Sequence, residues 1–427
     1  MKKIAICIPT FNRPKVIFDT CSKITNIVDS DLADIYVYDS STDDETKKVF
    51  EKIERNNFFY IRIDPSVHSS KKVYAIYQEK KIQNNHEYLW VLADYLFFDK
   101  SVIREVISKL NEEWDMLMLD FYDPQGRGNR QYHSPNAIFY EYAWSMTQYG
   151  IILINCKTVL KKADWRYLTE RYLTDDHKNF SHIMMYFEVM LQLDRLKFYH
   201  FSISRENVYI SKYKSVSSDY LDDFLNVWGD RWYRSINALP RFYKNKSRVI
   251  KMACKYTASL GEKNIAELKC RGILTIRSFQ RYIPIWHCVS TVPAIIVYVI
   301  IFLPDDIARR IVKYGSIKTW LEYIFQLERI KVFCKKYDTI YLYGAGEKAK
   351  MVADLMIENS ISFKGFVVTD INENITFLKG HDVIGISEIK KEGKVGMIVA
   401  VNKKNEKEIV PYLHQMGYRD LFKLDRI

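Results

Sequence analysis

The sequence contains no CxxC pair. Its seven cysteines (Cys7, Cys21, Cys156, Cys254, Cys270, Cys288, Cys334) are scattered and odd in number, which argues against a disulfide scaffold or structural zinc site and for a reducing compartment. A secretory leader pattern is missing too. The opening MKKIAICIPTFNRP carries two lysines and an apolar run, but a Pro-Thr-Phe-Asn turn interrupts it, and no small-residue cleavage site follows. It reads as a strand. An unbroken membrane-length helix is also lacking. The 23 residues between Arg281 and Asp305 (YIPIWHCVSTVPAIIVYVIIFLP) have no formal charge, which by length permits a span. Pro284, Pro293 and Pro304 divide them, and the apolar core 294–303 is short. A span would also set the last domain across the membrane from the first, although neither looks exported. An interfacial or re-entrant helix, or one buried against another subunit, fits better.

Acids are scarce in one region. From Arg231 to Lys318 there are 17 Lys and Arg against four acids (Glu262, Glu267, Asp305, Asp306), a net +13, so this segment holds the whole +12 excess of the chain. Such a block points to an anionic surface. Its basic residues alternate with Trp232, Tyr233, Phe242 and Tyr243, a mixture suited to lipid headgroups. No recognisable nucleic-acid module accompanies it, so an anionic membrane surface is the expected partner and nucleic acid is not.

What is present supports substantial cores. Of 427 residues, 48% are hydrophobic and 15% aromatic, enough for two or three domains. Lys3–Ile8, Asp34–Tyr38 and Phe58–Ile63 read as buried strands separated by helical patterns at 15–28, 44–55 and 69–81, and that alternation implies a mostly parallel sheet. Glu87–Asp99 (EYLWVLADYLFFD) supplies another short apolar strand that ends in Asp94. Ligands of open α/β sheets sit at the carboxyl ends of strands, so an acid there is well placed for a phosphate-bound metal or a sugar hydroxyl.

IPTFNRP at 8–14, YDSSTDDET at 38–46 and the acid-terminated strand at 87–99 together resemble the inverting family-two glycosyltransferases. The resemblance covers roughly residues 1–215 and implies a GT-A-type nucleotide-sugar domain. It implies that Pro9, Thr10 and Asn12 line a nucleoside pocket and that Asp39 binds uracil or its equivalent. Arg13 with Lys71 or Lys72 would meet the diphosphate, where a cation forms charge-assisted bonds. The sequence departs from the pattern at one point. Asp94-Tyr95-Leu96 stands where the family shows Asp-X-Asp, and Asp99 lies five positions on. A divalent cation, Mn or Mg, needs only one or two carboxylates, so Asp94 could still hold one, with a histidine such as His200 completing the site. The incomplete element leaves the metal open.

Inverting transfer needs a base for the acceptor hydroxyl, and the family places an acidic pair about 80 residues beyond the strand-end acid, at a helix start. Asp176 is the first choice here and Asp175 the second; both could instead serve as helix caps. Past residue 217 the apolar period becomes helical. From residue 336, Thr339–Tyr343, the turn Gly344-Ala345-Gly346 and the helix 347–359 form a βαβ pattern with GxGxxA, so Gly344 and Gly346 are candidate nucleotide contacts. This end resembles the small Rossmann-like units of bacterial polysaccharide enzymes, which implies a regulatory or assembly role.

The expectation is therefore an α/β chain of three parts: a GT-A-type domain over 1–217, a helical segment over 218–335 with the apolar stretch 282–304, and a Rossmann-like domain over 336–427. Its expected work is transfer from a nucleoside-diphosphate sugar, UDP first, to a cell-surface glycan or lipid-linked acceptor. The expected location is cytoplasmic, peripheral at the inner membrane face, with homo-oligomerisation open. A non-catalytic sugar-nucleotide-binding or scaffold protein is the alternative.

Overall fold

The structure, a computed structural model, describes residues 2–424 except 54, 125, 215–217, 373–374 and 390–392. The chain divides into two compact units, Met1–Asp305 and Asp306–Ile427. In the first, β1 (Lys2–Thr10) carries Ile4, Ile6 and Ile8 on one face and Ala5 and Cys7 on the other, all buried. Burial on both faces is why it reads as a continuous apolar run.

The strands β1, β2 (Ala33–Asp39), β3 (Phe58–Arg62) and β4 (His86–Val91) are joined by crossovers and lie parallel. The sheet is extended by β6 (Met116–Asp120), β7 (Arg130–Tyr132), β8 (Ile152–Asn155) and β9 (Phe198–Ser202), giving the order β3-β2-β1-β4-β8-β6-β9-β7. A separate ribbon pairs β5 (Leu96–Phe98) with β10 (Val208–Ile210) antiparallel. Register sets Thr10 opposite Asp39, and Cys7 opposite Val91, so the ends of β1, β2 and β4 open along one edge. The helix Pro14–Ile27 covers one face of this sheet; its Ile17, Cys21 and Ile24 join Ile4, Ile6 and Ile8 in one core. Pro14 stands in the first turn, where a missing N–H costs nothing.

Two helices are shorter than their periodicity predicts. The one expected over 44–55 spans Glu45–Phe50. The one expected to reach residue 81 stops at Gln78, because Glu79 turns extended and its side chain caps a new helix, Lys80–Asn85.

The middle of the chain is helical, as its period indicates, although the expected boundary at 217 lies outside the described residues. Residues 218–305 cluster with the first unit and 306–335 with the second. No single described helix is long and apolar enough to cross a membrane. The uncharged stretch forms two helices, Ile283–Val289 and Ala294–Phe302, bent by 112°. The break falls where Ser290 turns extended and Pro293 begins the next helix. Val297 and Ile300 pack inward, while Ile295, Val299 and Phe302 are exposed.

The second unit holds β11 (Thr339–Tyr343), β12 (Gly365–Val368), β13 (Phe377–Leu378), β14 (His381–Gly385), β15 (Val395–Val399) and β16 (Leu421–Lys423), in the order β13-β14-β12-β11-β15-β16. All pairs but β13–β14 are parallel, and the expected helix follows β11 as Glu347–Glu358. The architecture is thus of the α/β class expected: a largely parallel sheet, a helical middle and a small separate α/β unit.

Candidate functional site

Four side chains from three separate stretches meet at the ends of β1 and β4. Asp94 lies in the turn between β4 and β5 and is 6% exposed. One of its oxygens accepts from Thr10 Oγ1 at 2.9 Å, the other from Arg13 Nη1 at 3.1 Å. Lys72, buried in the helix Ser69–Gln78, donates to the Thr10 carbonyl at 2.7 Å and to Ser40 Oγ. Burial pushes the Lys72 ammonium down to about 8, against the pull of Asp39 and Asp94. Burial raises the Asp94 carboxyl, opposed by Arg13, Thr10 and Lys72. Each charge here is tolerable because the others are near.

The neighbouring turns are clamped together. Asn12 takes a left-handed conformation (φ 51°), which asparagine adopts more readily than most residues. Its N–H donates to Ser41 Oγ at 2.8 Å, and its Oδ1 accepts from the Thr42 N–H at 2.9 Å. Asp39 is fully buried and saturated. One oxygen accepts from the Ser41 N–H and hydroxyl, the other from Tyr60 at 2.6 Å and Arg62 at 3.1 Å. Those bonds use its four acceptor positions, so a nucleobase N–H would have to displace one of them. Neither Tyr60 nor Arg62 was singled out from the sequence, because their strand, β3, carries no turn signature. Pro9 is half-buried beside Thr10.

Two adjoining hollows open next to this cluster. The larger, about 520 Å³, is lined by Arg13, Tyr95, Thr147, Tyr149, Lys214 and Trp228 among others. The smaller, about 360 Å³, is lined by His68, Ser70, Lys71, Thr174, Asp175 and Lys178. They adjoin in the chain at Ser69, which lines the larger hollow between His68 and Ser70 of the smaller, and at Asn179, which follows Lys178 of the smaller. Lys214 packs over the Tyr95 ring at 4.0 Å, and burial, then Arg13, holds its ammonium below the usual lysine range. Burial also lowers His68, helped by the cations Lys178, Arg231 and Lys71 and opposed by Asp175. The cleft is therefore cationic.

No protein-family model matches the sequence, and no curated protein matches it. Solved structures are similar in fold. The crystal structure of S. aureus TarS 1-349 is 13% identical over 73% of this chain and 91% of that chain, with a TM-score of 0.41. TarS 1-349 in complex with UDP-GlcNAc is 12% identical over 74% and 92%, with a TM-score of 0.37. Glucosyl-3-phosphoglycerate synthase from Mycobacterium tuberculosis, in complex with Mn2+, UDP and glucosyl-3-phosphoglycerate, is 11% identical over 56% and 81%, with a TM-score of 0.36. At these identities, function has to be read from the residues of the site itself.

Of the acidic pair, Asp175 lines the smaller hollow with a fully exposed side chain 4.0 Å from Lys178. Asp176 is 3.4 Å from Arg234 and also solvent-exposed. Neither starts a helix: residues 173–180 form turns, and the helix Ser181–Leu191 begins beyond them. His200 does not join Asp94. It is buried in β9, with Nδ1 at 2.9 Å from the Gly128 carbonyl, Nε2 at 3.1 Å from Asp120, and its ring stacked on Tyr142. Both ring nitrogens are spent on the fold, so its expected metal role is corrected to a structural one. Asp99, the next acid, is exposed where the helix Lys100–Leu110 starts. Among the described residues no three His, Cys, Asp or Glu side chains converge to hold a metal. A divalent ion at Asp94 would have to displace Arg13 and sit beside Lys72. This donor set does not fit one.

In the second unit, Gly344 and Gly346 line a separate cavity of about 700 Å³ with Thr369, Asp370 and Asn402. Gly344 has φ +115°, and a Cβ there would lie 3.0 Å from the Ala400 carbonyl oxygen and from Val401 Cγ1. Only glycine suits that turn.

Proposed function

We propose that this chain is an inverting glycosyltransferase that moves a sugar from a nucleoside-diphosphate sugar, UDP first, to a cell-surface glycan or lipid-linked acceptor. The observation that carries this reading is the cluster of buried Thr10, Lys72 and Asp94 with half-buried Arg13 at the strand ends, opening onto a cationic cleft. Preorganised cations aimed at a leaving diphosphate stabilise charge that develops as the glycosidic bond breaks. The nucleoside sits over Pro9, Thr10, Asn12 and the turn that Asp39 anchors, and Lys71 borders the same cleft. The acceptor oxygen attacks the anomeric carbon from the opposite side while a carboxylate takes its proton.

That base is assigned to the Asp175–Asp176 pair. Sequence order favours Asp176, whereas lining of the cleft favours Asp175. Asp175→Asn and Asp176→Asn, each tested for turnover and donor binding, separate the two. The base variant loses at least about 100-fold in kcat with donor binding retained. Undiminished turnover in both removes the pair from the mechanism. The donor is identified by incubating UDP-, GDP-, CMP- and dTDP-sugars with the chain and scoring nucleotide release.

Lipid-side acceptance is supported by the exposed Ile295, Val299 and Phe302 within the basic segment, which suits a peripheral position at an anionic membrane face. Nucleotide binding at Gly344 and Gly346 belongs to this reading as a regulatory or assembly site. The competing reading, a non-catalytic sugar-nucleotide-binding protein, draws on the exposure of both candidate bases. It predicts nucleotide binding with no release from any donor.

A further inference from the structure

We propose that Arg13 and Lys214, backed by the buried charge of Lys72, hold the donor's diphosphate where a divalent cation would otherwise bridge it, and that Asp94 positions Arg13 instead of ligating metal. This rests on the transferase reading above.

The argument starts from the acid. Both oxygens of Asp94 already accept hydrogen bonds, from Thr10 and Arg13. The charge-assisted bond from Arg13 Nη1 to one Asp94 oxygen tethers the guanidinium at this strand end. Arg13 is thereby held with its side chain 27% exposed, on the wall of the 520 Å³ hollow that Lys214 also lines. Beneath them, two of the three N–H bonds of Lys72 are satisfied, by the Thr10 carbonyl and Ser40. With all three cations protonated, Arg13, Lys72 and Lys214 outnumber Asp94 by two charges. That balance attracts a diphosphate and repels a dication, and an ion already present inverts the usual role of a strand-end acid. The absent second acid of the Asp-X-Asp pattern falls into place on this view. A site that places its own cations has no use for it.

The test is calorimetric binding to the full chain of UDP, GDP, CDP and dTDP, each with EDTA and then with MnCl2 or MgCl2. Uridine, the nucleoside without the diphosphate, is the control. The diphosphate that binds should do so with affinities within about twofold in EDTA and in metal. Arg13→Ala should weaken it by at least about 30-fold, Lys214→Met by about tenfold, and neither should shift uridine binding by more than about threefold. Arg13→Lys should recover part of the loss, and ligand-free thermal unfolding checks that each variant is folded. Asp94→Asn should weaken binding by about tenfold and leave it metal-insensitive, as a positioning residue would. Metal-dependent binding, tighter by tenfold or more with Mn2+ and lost in Asp94→Asn, overturns this inference while the transferase reading stands. Failure of every nucleotide to bind under either condition overturns both.

Discussion

Two parallel-strand edges in this chain meet a cavity, and they are armed differently. At the ends of β1, β2 and β4 the side chains behind the cavity wall are ionic and buried: Asp39, Lys72 and Asp94. At the ends of β11, β12 and β15 the turn is Gly-Ala-Gly, and the cavity is larger, about 700 Å³ against about 520 Å³. There the polar side chains serve local geometry. Asp370 accepts from the Asn372 N–H, and Asn402 caps the helix Lys403–Gln415. The comparison teaches that space alone does not make a reactive site. Charges held out of water by one another bind a charged ligand without reorganising, whereas a glycine turn offers close backbone approach and little chemistry.

Removing the central acid strikes the first edge hardest. Asp94→Ala leaves Arg13 and Thr10 without their shared partner, and the first unit should lose about 3 kcal/mol, the lower end for breaking a buried pair because Arg13 is partly exposed. Urea unfolding followed by intrinsic fluorescence reads this unit, since seven of the eight tryptophans lie in it and only Trp320 lies outside. An unchanged midpoint would mean that the ion pair contributes nothing and that the contrast between the edges is only apparent.

A change of roughly 2 kcal/mol is expected at the second edge from Gly344→Val, which forces a branched side chain into a left-handed conformation. Limited proteolysis should cut the second unit faster while nucleotide binding by the first stays the same. Equal protection of the second unit in variant and parent would show that the turn tolerates a side chain.

The smallest effect is a pH dependence confined to the first edge. Lys72 in the folded chain has its pKa lowered to about 8 by burial, below its unfolded value of about 10.4. A depressed lysine makes the unfolded state the stronger proton binder between those values, so its contribution to stability rises with pH across about 8 to 10.4 and is flat below. Diphosphate binding runs the other way, falling up to about tenfold per pH unit above 8 as the ammonium neutralises. Affinity measured from pH 6.5 to 9.5 in parent and Lys72→Met separates the two trends, and a decline that persists in Lys72→Met assigns the titration to another group.

Much of the first edge was legible in the sequence because buried parallel strands write themselves as uninterrupted apolar runs. β1, β2 and β4 each announce an end, at Thr10, Asp39 and Asp94, and parallel pairing brings those ends together. What the runs do not encode is how side chains spend their hydrogen bonds. Asp39 looks like a ligand contact, yet Ser41, Tyr60 and Arg62 consume its acceptors. His200 looks available until its β9 position sets it between Asp120 and the Gly128 carbonyl. Lys214 reaches the cleft from far along the chain, a tertiary placement that local pattern cannot supply. The acids at 175 and 176 were expected at a helix start, but the chain turns through residues 173–180 before the helix Ser181–Leu191 begins.

Gly150 fixes one more property of the cleft. Its carbonyl accepts from Trp90 Nε1 at 2.8 Å, and a Cβ on it would lie 3.1 Å from both Leu92 Cδ2 and Leu96 Cδ2. The loop bearing Thr147 and Tyr149 is therefore riveted to the same strand that delivers Asp94. For anyone redesigning the cleft, this separates two tasks. Thr147 and Tyr149 can be exchanged to reshape the cleft wall while the rivet holds their backbone in register with the strand end that carries Asp94. A methyl at 150 would instead shift wall and strand end together, changing both sides of the cleft at once.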